Sequence, residues 1–214
     1  MKHNPILFFM LVTIFISCNQ ESLLVVPQPY QPPTDIREII PMEVGYQWTY
    51  RAFRETICCD TCYDYCIDTI MVTRTVVDTI SYSGKIHYKI LVEQNSGDRP
   101  YIYQLEYVDS SRFVRWVDYS EGFPIWPVPI LVSPVLRGSR WEYFEPPVRD
   151  TSIVTSIDTS ITINGRRYEH GILIDHSFLD EQTLIVPGIG IVWDLHYDSY
   201  LGALYFLTLI GKNF

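Results

Sequence analysis

From Tyr46 to the C-terminus the chain alternates apolar and polar residues with a period of two. Gln47–Arg54 is the first such run, followed by Asp68–Val77, Lys85–Val92, Tyr101–Tyr107 and Arg112–Val117. The second half continues with Trp141–Phe144, Ser152–Ile163, Arg167–Ile174, Thr183–Val186, Ile191–Leu195 and Ala203–Ile210. Successive side chains of a strand point to opposite faces, so this period, carried by Val, Ile, Thr and Tyr, predicts half-buried antiparallel strands. Turn residues separate the runs at Ser83-Gly84, Ser96-Gly97-Asp98, Asn164-Gly165 and Pro187-Gly188. Asn164-Gly165 predicts a tight hairpin, because both central residues of a type I′ turn need positive φ. No long 3.6-residue period occurs, and one short helix is expected near Ile36–Ile40 or Phe178–Gln182. The expected fold is all-β: an antiparallel meander forming a curved sheet, an open half-barrel or a sandwich.

The halves echo each other. Gly45-x-x-Trp48-x-Tyr50 returns as Gly138-x-x-Trp141-x-Tyr143. Thr75-Val76-Val77-Asp78-Thr79 with Gly84-Lys85 returns as Thr155-Ser156-Ile157-Asp158-Thr159 with Gly165-Arg166. The shared order predicts two related β units, each opening with a Gly-x-x-Trp strand and closing with a hairpin.

Before the first strand the pattern changes. Lys2 precedes an apolar run, Ile6–Ile16, then Ser17 and Cys18. A helix spanning a bilayer needs roughly 20 apolar residues, so this run fits the core of a secretory signal. A small residue and a cysteine where the apolar run stops predict a lipoprotein signal over 1–17, with diacylation at Cys18. Each buried CH₂ of such a lipid contributes about 0.8 kcal/mol. Asn19 rather than Asp follows the cysteine, so the usual inner-membrane retention signal is missing and the outer membrane is expected. Pro27, Pro29, Pro32, Pro33 and Pro41 punctuate residues 18–41. That stretch reads either as a semi-rigid tether, rising about 3.1 Å per residue, or as a segment strapped along the domain. Residues 42–214 are expected to form one domain.

Pro41-x-x-x-Gly45-x-x-Trp48-x-Tyr50, Gly138-x-x-Trp141 and Gly188-Ile189-Gly190-Ile191-Val192 together resemble uncharacterised Bacteroidetes-type outer-membrane lipoproteins, whose domains open with a P-x-x-x-G-x-x-W-x-Y strand. Glu43, Val44 and Tyr46 depart from the Leu and Asn that the group often carries there. The resemblance implies an antiparallel half-barrel of the lipoprotein-carrier kind.

Charge narrows the partners. The chain carries 16 Lys+Arg against 25 Asp+Glu. Removing residues 1–17 takes away one lysine, and 15 against 25 gives a net charge of −10. An acidic surface argues against nucleic acid and anionic lipid as partners.

The densest local chemistry is Cys58-Cys59-Asp60-Thr61-Cys62-Tyr63-Asp64-Tyr65-Cys66, between two alternating runs. An even number of cysteines in an oxidising compartment reads first as two disulfides. Nested pairing, Cys58–Cys66 with Cys59–Cys62, is easiest across a hairpin, and crossed pairing needs another loop shape. A tetrathiolate zinc or copper(I) site is the second reading, although structural zinc usually takes its second ligand pair from a distant segment. Redox activity at Cys59-x-x-Cys62 is the third, without the helix N-terminus that lowers a thiol pKa.

His87, His170, His176 and His196 are scattered, and Asp194 and His196 share a strand face. No metalloprotease spacing or Gly-x-Ser-x-Gly elbow occurs, and Gly188-Ile189-Gly190 reads as a turn into a strand. Asp118, Glu121, Glu142 and Glu145 offer only the carboxylate pairs of any acidic β domain. Tyr101, Tyr103, Leu105 and Tyr107 fall on one face and are expected in the core. The segment Phe123-Pro124-Ile125-Trp126-Pro127-Val128-Pro129 is apolar, and its three prolines predict an irregular loop. Phe123, Ile125 and Trp126 are therefore the expected binding surface.

These features predict a membrane-anchored, non-enzymatic binding or structural protein of the cell envelope. It would have no cofactor or metal and would contact an apolar or glycan ligand or an envelope protein. Two alternatives remain: a carrier with an apolar half-barrel cavity, and an enzyme acting on envelope glycans.

Overall fold

The computed structural model describes residues 28–57, 65–95, 101–117, 126–145, 148–177, 181–198 and 203–214. Among the described residues one four-residue helix, α1 (Ile36–Ile39), precedes twelve strands. The first six are β1 (Gln47–Ile57), β2 (Tyr65–Tyr82), β3 (Lys85–Gln94), β4 (Tyr101–Val108), β5 (Arg112–Val117) and β6 (Trp126–Val132). The second six are β7 (Arg140–Glu145), β8 (Val148–Ile163), β9 (Arg166–His176), β10 (Gln182–Val186), β11 (Gly190–Asp198) and β12 (Ala203–Lys212).

All twelve join one antiparallel sheet in the order β6-β5-β4-β3-β2-β1-β12-β11-β10-β9-β8-β7. The first and last strands pair, and the sheet curls into a nearly closed barrel with one unsealed seam between β6 and β7. Each half is thus a six-stranded meander, and β1–β12 welds the halves.

The expected repeat is visible in hydrogen bonds. The Gly45 N–H donates to the Val76 carbonyl at 2.7 Å, and the Val76 N–H donates to Tyr46 at 2.9 Å. The Gly138 N–H donates to Val154 at 2.7 Å, and the Val154 N–H donates to Ser139 at 2.9 Å. Both glycines have left-handed φ, 95° and 89°, at the third position of a turn closed by Tyr46→Glu43 or Ser139→Leu136. A type II turn requires φ > 0 there, which is why glycine stands at both. Pro134 sits four residues before Gly138, as Pro41 does before Gly45. The second echo needs correcting. These bonds put Val154, not Ser156, at the place of Val76, because β8 runs on to Ile163 beyond Val154, farther than β2 runs beyond Val76 to Tyr82, and takes up the excess in three register shifts.

Two further expectations fail. Trp126–Val132 is a strand, not an irregular loop: β6 is an edge strand, where a residue without an N–H is tolerated, and Pro127 and Pro129 lie opposite Trp116 and Val114 of β5. The domain also begins before Met42. Ile36, Ile39 and Ile40 are at most 2% exposed, so α1 belongs to the core. Asp35 caps α1 by accepting the Arg37 N–H, and the Ile36 N–H donates to the Ser110 carbonyl. Tyr30 stacks on His170 with ring centroids 4.1 Å apart, so the strapped reading holds from Tyr30 onward.

The opposite walls meet inside. Phe113, Val128, Ile130 and Leu131 of the first half pack in one cluster with Val154, Ile172, Ile174, Ile185 and Ile191 of the second. Trp48, Tyr50, Ile70, Val72, Ile90 and Leu209 form the other main cluster. Burying one such side chain contributes about 1.5–3 kcal/mol.

Candidate functional site

Each half carries one buried polar cluster. In the first, Glu106 of β4 is 1% exposed and pairs through Oε1 with Arg74 of β2 and with Arg115 Nε at 2.9 Å. Glu106 and Arg115 are direct cross-strand neighbours, so their side chains share the inward face. Burial pushes the Glu106 carboxyl up, but the two guanidiniums outweigh that and hold it below the usual carboxylate range. Its Oε2 has no hydrogen-bond partner among the described residues. Tyr50, 2% exposed, donates its hydroxyl to the Ile191 carbonyl at 3.0 Å, and burial pushes its pKa up to about 12.

The second cluster is a hydrogen-bond chain across four strands. Ser152 Oγ of β8 lies 2.8 Å from His176 Nδ1 of β9, and His176 Nε2 lies 3.1 Å from Thr183 Oγ1 of β10. Thr183 donates to Asp194 Oδ1 of β11 at 2.7 Å. Because Thr183 gives its one proton to Asp194, its oxygen accepts from His176 Nε2–H. His176 Nδ1 is then the acceptor for the Ser152 hydroxyl, which fixes a neutral tautomer. Burial pulls the His176 pKa down, against the opposing pull of Asp194, Asp150 and Asp175. Next to this chain Asp150 accepts from Tyr143 Oη, Ser177 Oγ and the Thr151 N–H, each at 2.6 Å. Burial raises the Asp150 pKa, and those three donors more than reverse it.

Serine, imidazole and carboxylate in series invite comparison with a nucleophile–base–acid relay. The arrangement here differs from such a relay in access. Ser152 is 0% exposed, and His176, Thr183 and Asp194 are each below 8%. A nucleophile must reach its substrate, and here the Ser152 hydroxyl is closed off from solvent.

The chain has structural neighbours among exported proteins. A protein assigned as exported, with a YmcC-like fold, from Bacteroides fragilis is similar over 81% of this chain and 98% of its own, at 10% identity and a TM-score of 0.44. A protein assigned as a lipoprotein, from Parabacteroides distasonis, is similar over 86% of this chain and 100% of its own, at 10% identity and a TM-score of 0.43. Likeness at that level fixes neither fold nor function. No protein-family profile and no curated protein matches the sequence.

The residues singled out from the sequence are spread widely. Cys18, Cys58, Cys59 and Cys62 lie outside the described residues, as do Phe123 and Ile125. Cys66 lies in β2 opposite Thr56, and the pairing Ile57↔Tyr65 makes residues 58–64 the β1–β2 connection. Trp126 opens β6 opposite Val117. Asp118 and Glu121 lie outside the described residues, and Glu142 is exposed.

His87 is 3% exposed among the rings of Tyr82, Tyr107 and Trp116. This ring cluster is on the face opposite Glu106, so Tyr107 is buried, at 9% exposed, as the alternation predicted, but beneath His87 and Trp116 rather than inside the barrel. His170 is exposed, and its Nδ1 lies 2.8 Å from Asp158 Oδ1. Among the described residues no group of three His, Cys, Asp or Glu is placed to hold a metal.

Sequence reasoning missed Arg74, Glu106, Arg115, Ser152 and Thr183. Their polarity reads as a solvent-facing phase, and only the cross-strand register brings them together.

Proposed function

We propose that this chain is a lipid-anchored protein of the cell envelope with a non-enzymatic binding or structural role, held to the outer membrane through Cys18. The observation that supports it is the closure of both polar clusters. The groups best suited to chemistry are spent on bracing the barrel, Arg74 and Arg115 on Glu106, and Ser152, His176 and Thr183 on Asp194. An internal carrier cavity finds no support where Phe113 and Leu131 pack with Ile172 and Ile174.

Two labelling experiments test this reading. Cells fed a palmitate analogue should label the full chain, and Cys18→Ser should abolish the label. A fluorophosphonate that reacts with activated serines should leave the folded protein unlabelled. Labelling that disappears in Ser152→Ala would make the chain an enzyme and overturn the proposal.

A further inference from the structure

We infer that the outer face of the β1–β12 weld is a binding site for an acyl-chain carboxylate. The inference rests on the binding role proposed above and names its ligand class. Phe53, Ile67, Trp193, Phe206 and Thr208 line an open depression of about 510 Å³, within the ~300–1,000 Å³ of small-ligand sites. The register explains why they meet. Phe53 lies opposite Phe206, and Trp193 opposite Thr208, so the four share one face of the sheet, on which Phe53 is open and Trp193 is half-buried against neighbouring core residues. Phe53 is 40% and Ile67 69% exposed. Large apolar side chains grouped in water mark a contact surface rather than a scattered excess.

The charge balance of the whole chain is acidic and disfavours anions in general, but the charge at this depression is local and of the opposite sign, and it selects the ligand. Arg51 lies directly opposite Thr208 on this same face. It is exposed, and it has no ion pair or hydrogen bond among the described residues. Of the five residues that line the depression, only Thr208, through its hydroxyl, and Trp193, through its indole N–H, offer polar groups. An apolar body with one anionic end satisfies both features: the chain covers Phe53, Ile67 and Phe206, and the carboxylate takes two N–H donors of the guanidinium fork. A glycan fits less well. Its hydroxyls lose water all round the ring, and this surface returns one hydroxyl, one indole N–H and one guanidinium. A membrane-inserting face would stand proud of the sheet, whereas this one is concave.

The test is calorimetric titration of laurate, below its micelle concentration, into the mature chain carrying Cys18→Ser. Saturable one-site binding is expected, with dodecanol about tenfold weaker. Arg51→Ala should weaken laurate by about tenfold and bring the two ligands level. Ile67→Asp should abolish saturation. Both positions are exposed, and unchanged urea midpoints would show that the fold is kept. Binding that survives Ile67→Asp, equal affinity for laurate and dodecanol in the unaltered chain, or no saturable binding would each overturn the inference. Adsorption to phosphatidylethanolamine vesicles without laurate binding would overturn it in favour of a membrane-contact face. None of these outcomes touches the reading of an anchored, non-catalytic protein, which rests on labelling at Cys18 and Ser152.

Discussion

The two halves of this barrel share a plan and differ in what they bury. Each opens on a Pro-x-x-x-Gly-x-x-Trp turn, with the tryptophan opposite the second strand's inward polar position: Trp48 faces Arg74, and Trp141 faces Ser152. From there they diverge. The first half builds an ion triad around Glu106; the second builds a neutral chain from Ser152 to Thr183 that ends on Asp194. The tryptophans diverge too. Trp48 Nε1 donates to Ile189 at 2.7 Å, within the welded side, while Trp141 Nε1 donates to Pro129 at 2.9 Å and bridges the seam that backbone pairing leaves open. One meander can therefore hold either charge or neutral hydrogen bonds inside, provided each group is matched by its strand neighbours. The cost of breaking them differs.

The largest expected effect lies in the first half. Glu106→Gln removes the anion that pairs with both Arg74 and Arg115 among the described residues, and leaving buried charge unpaired costs about 3–5 kcal/mol. Urea denaturation should show it, and a loss below about 1 kcal/mol would mean that water already carries the triad. The matching break in the second half is Thr183→Val. It strands no full charge pair, so about 1–3 kcal/mol is expected.

Smaller again is the effect of Gly45→Ala and Gly138→Ala. A Cβ at either position meets nothing within 4 Å, so only the left-handed backbone opposes it. Each should cost about 1–2 kcal/mol. The double variant should be additive within about 0.5 kcal/mol if the two turns are independent copies of one device.

The last difference is in pH. His176 has its pKa lowered in the folded chain, whereas in the unfolded chain it titrates near ~6.5. Below that pH the unfolded state takes up a proton the folded state refuses, so stability should fall as pH drops from about 6.5. The slope cannot exceed about 1.4 kcal/mol per pH unit for one proton. Glu106 is held below the carboxylate range, so its contribution is complete above about 4.3 and is lost only as pH falls further. His176→Gln should erase the higher-pH limb of a stability profile and spare the lower. A profile unchanged in both would contradict the chain drawn through Thr183.

Period-two alternation made eleven of the strands legible and located Arg112–Val117 to the residue. It failed at β6, where Pro127 and Pro129 mask a strand whose edge position tolerates them. At β4 both phases are buried: Tyr107 packs beneath the ring cluster on one face, as expected, while Glu106 faces the barrel interior on the other. Alternation identifies two faces without saying which is inner. Here that is decided by Arg74 and Arg115, residues 32 and 9 positions away from Glu106. Asp194 and His176 each drew notice as single residues, but the link between them is Thr183, an ordinary strand residue until the register of β9, β10 and β11 is known.

The weld between β1 and β12 also sets the order of assembly. A chain is synthesised N-terminus first, and β1 stays an open edge on one side until residues 203–212 have been made. Pairing the two ends of a chain is the slowest kind of contact to form, and an open edge meanwhile invites pairing with other chains. A polypeptide cut short by even its last strand would lose the closure of the whole barrel, not a peripheral element. Rejoined in circular order, with new ends at the seam between β6 and β7, the same strands could be made as two uninterrupted halves in the opposite order, without breaking one ladder.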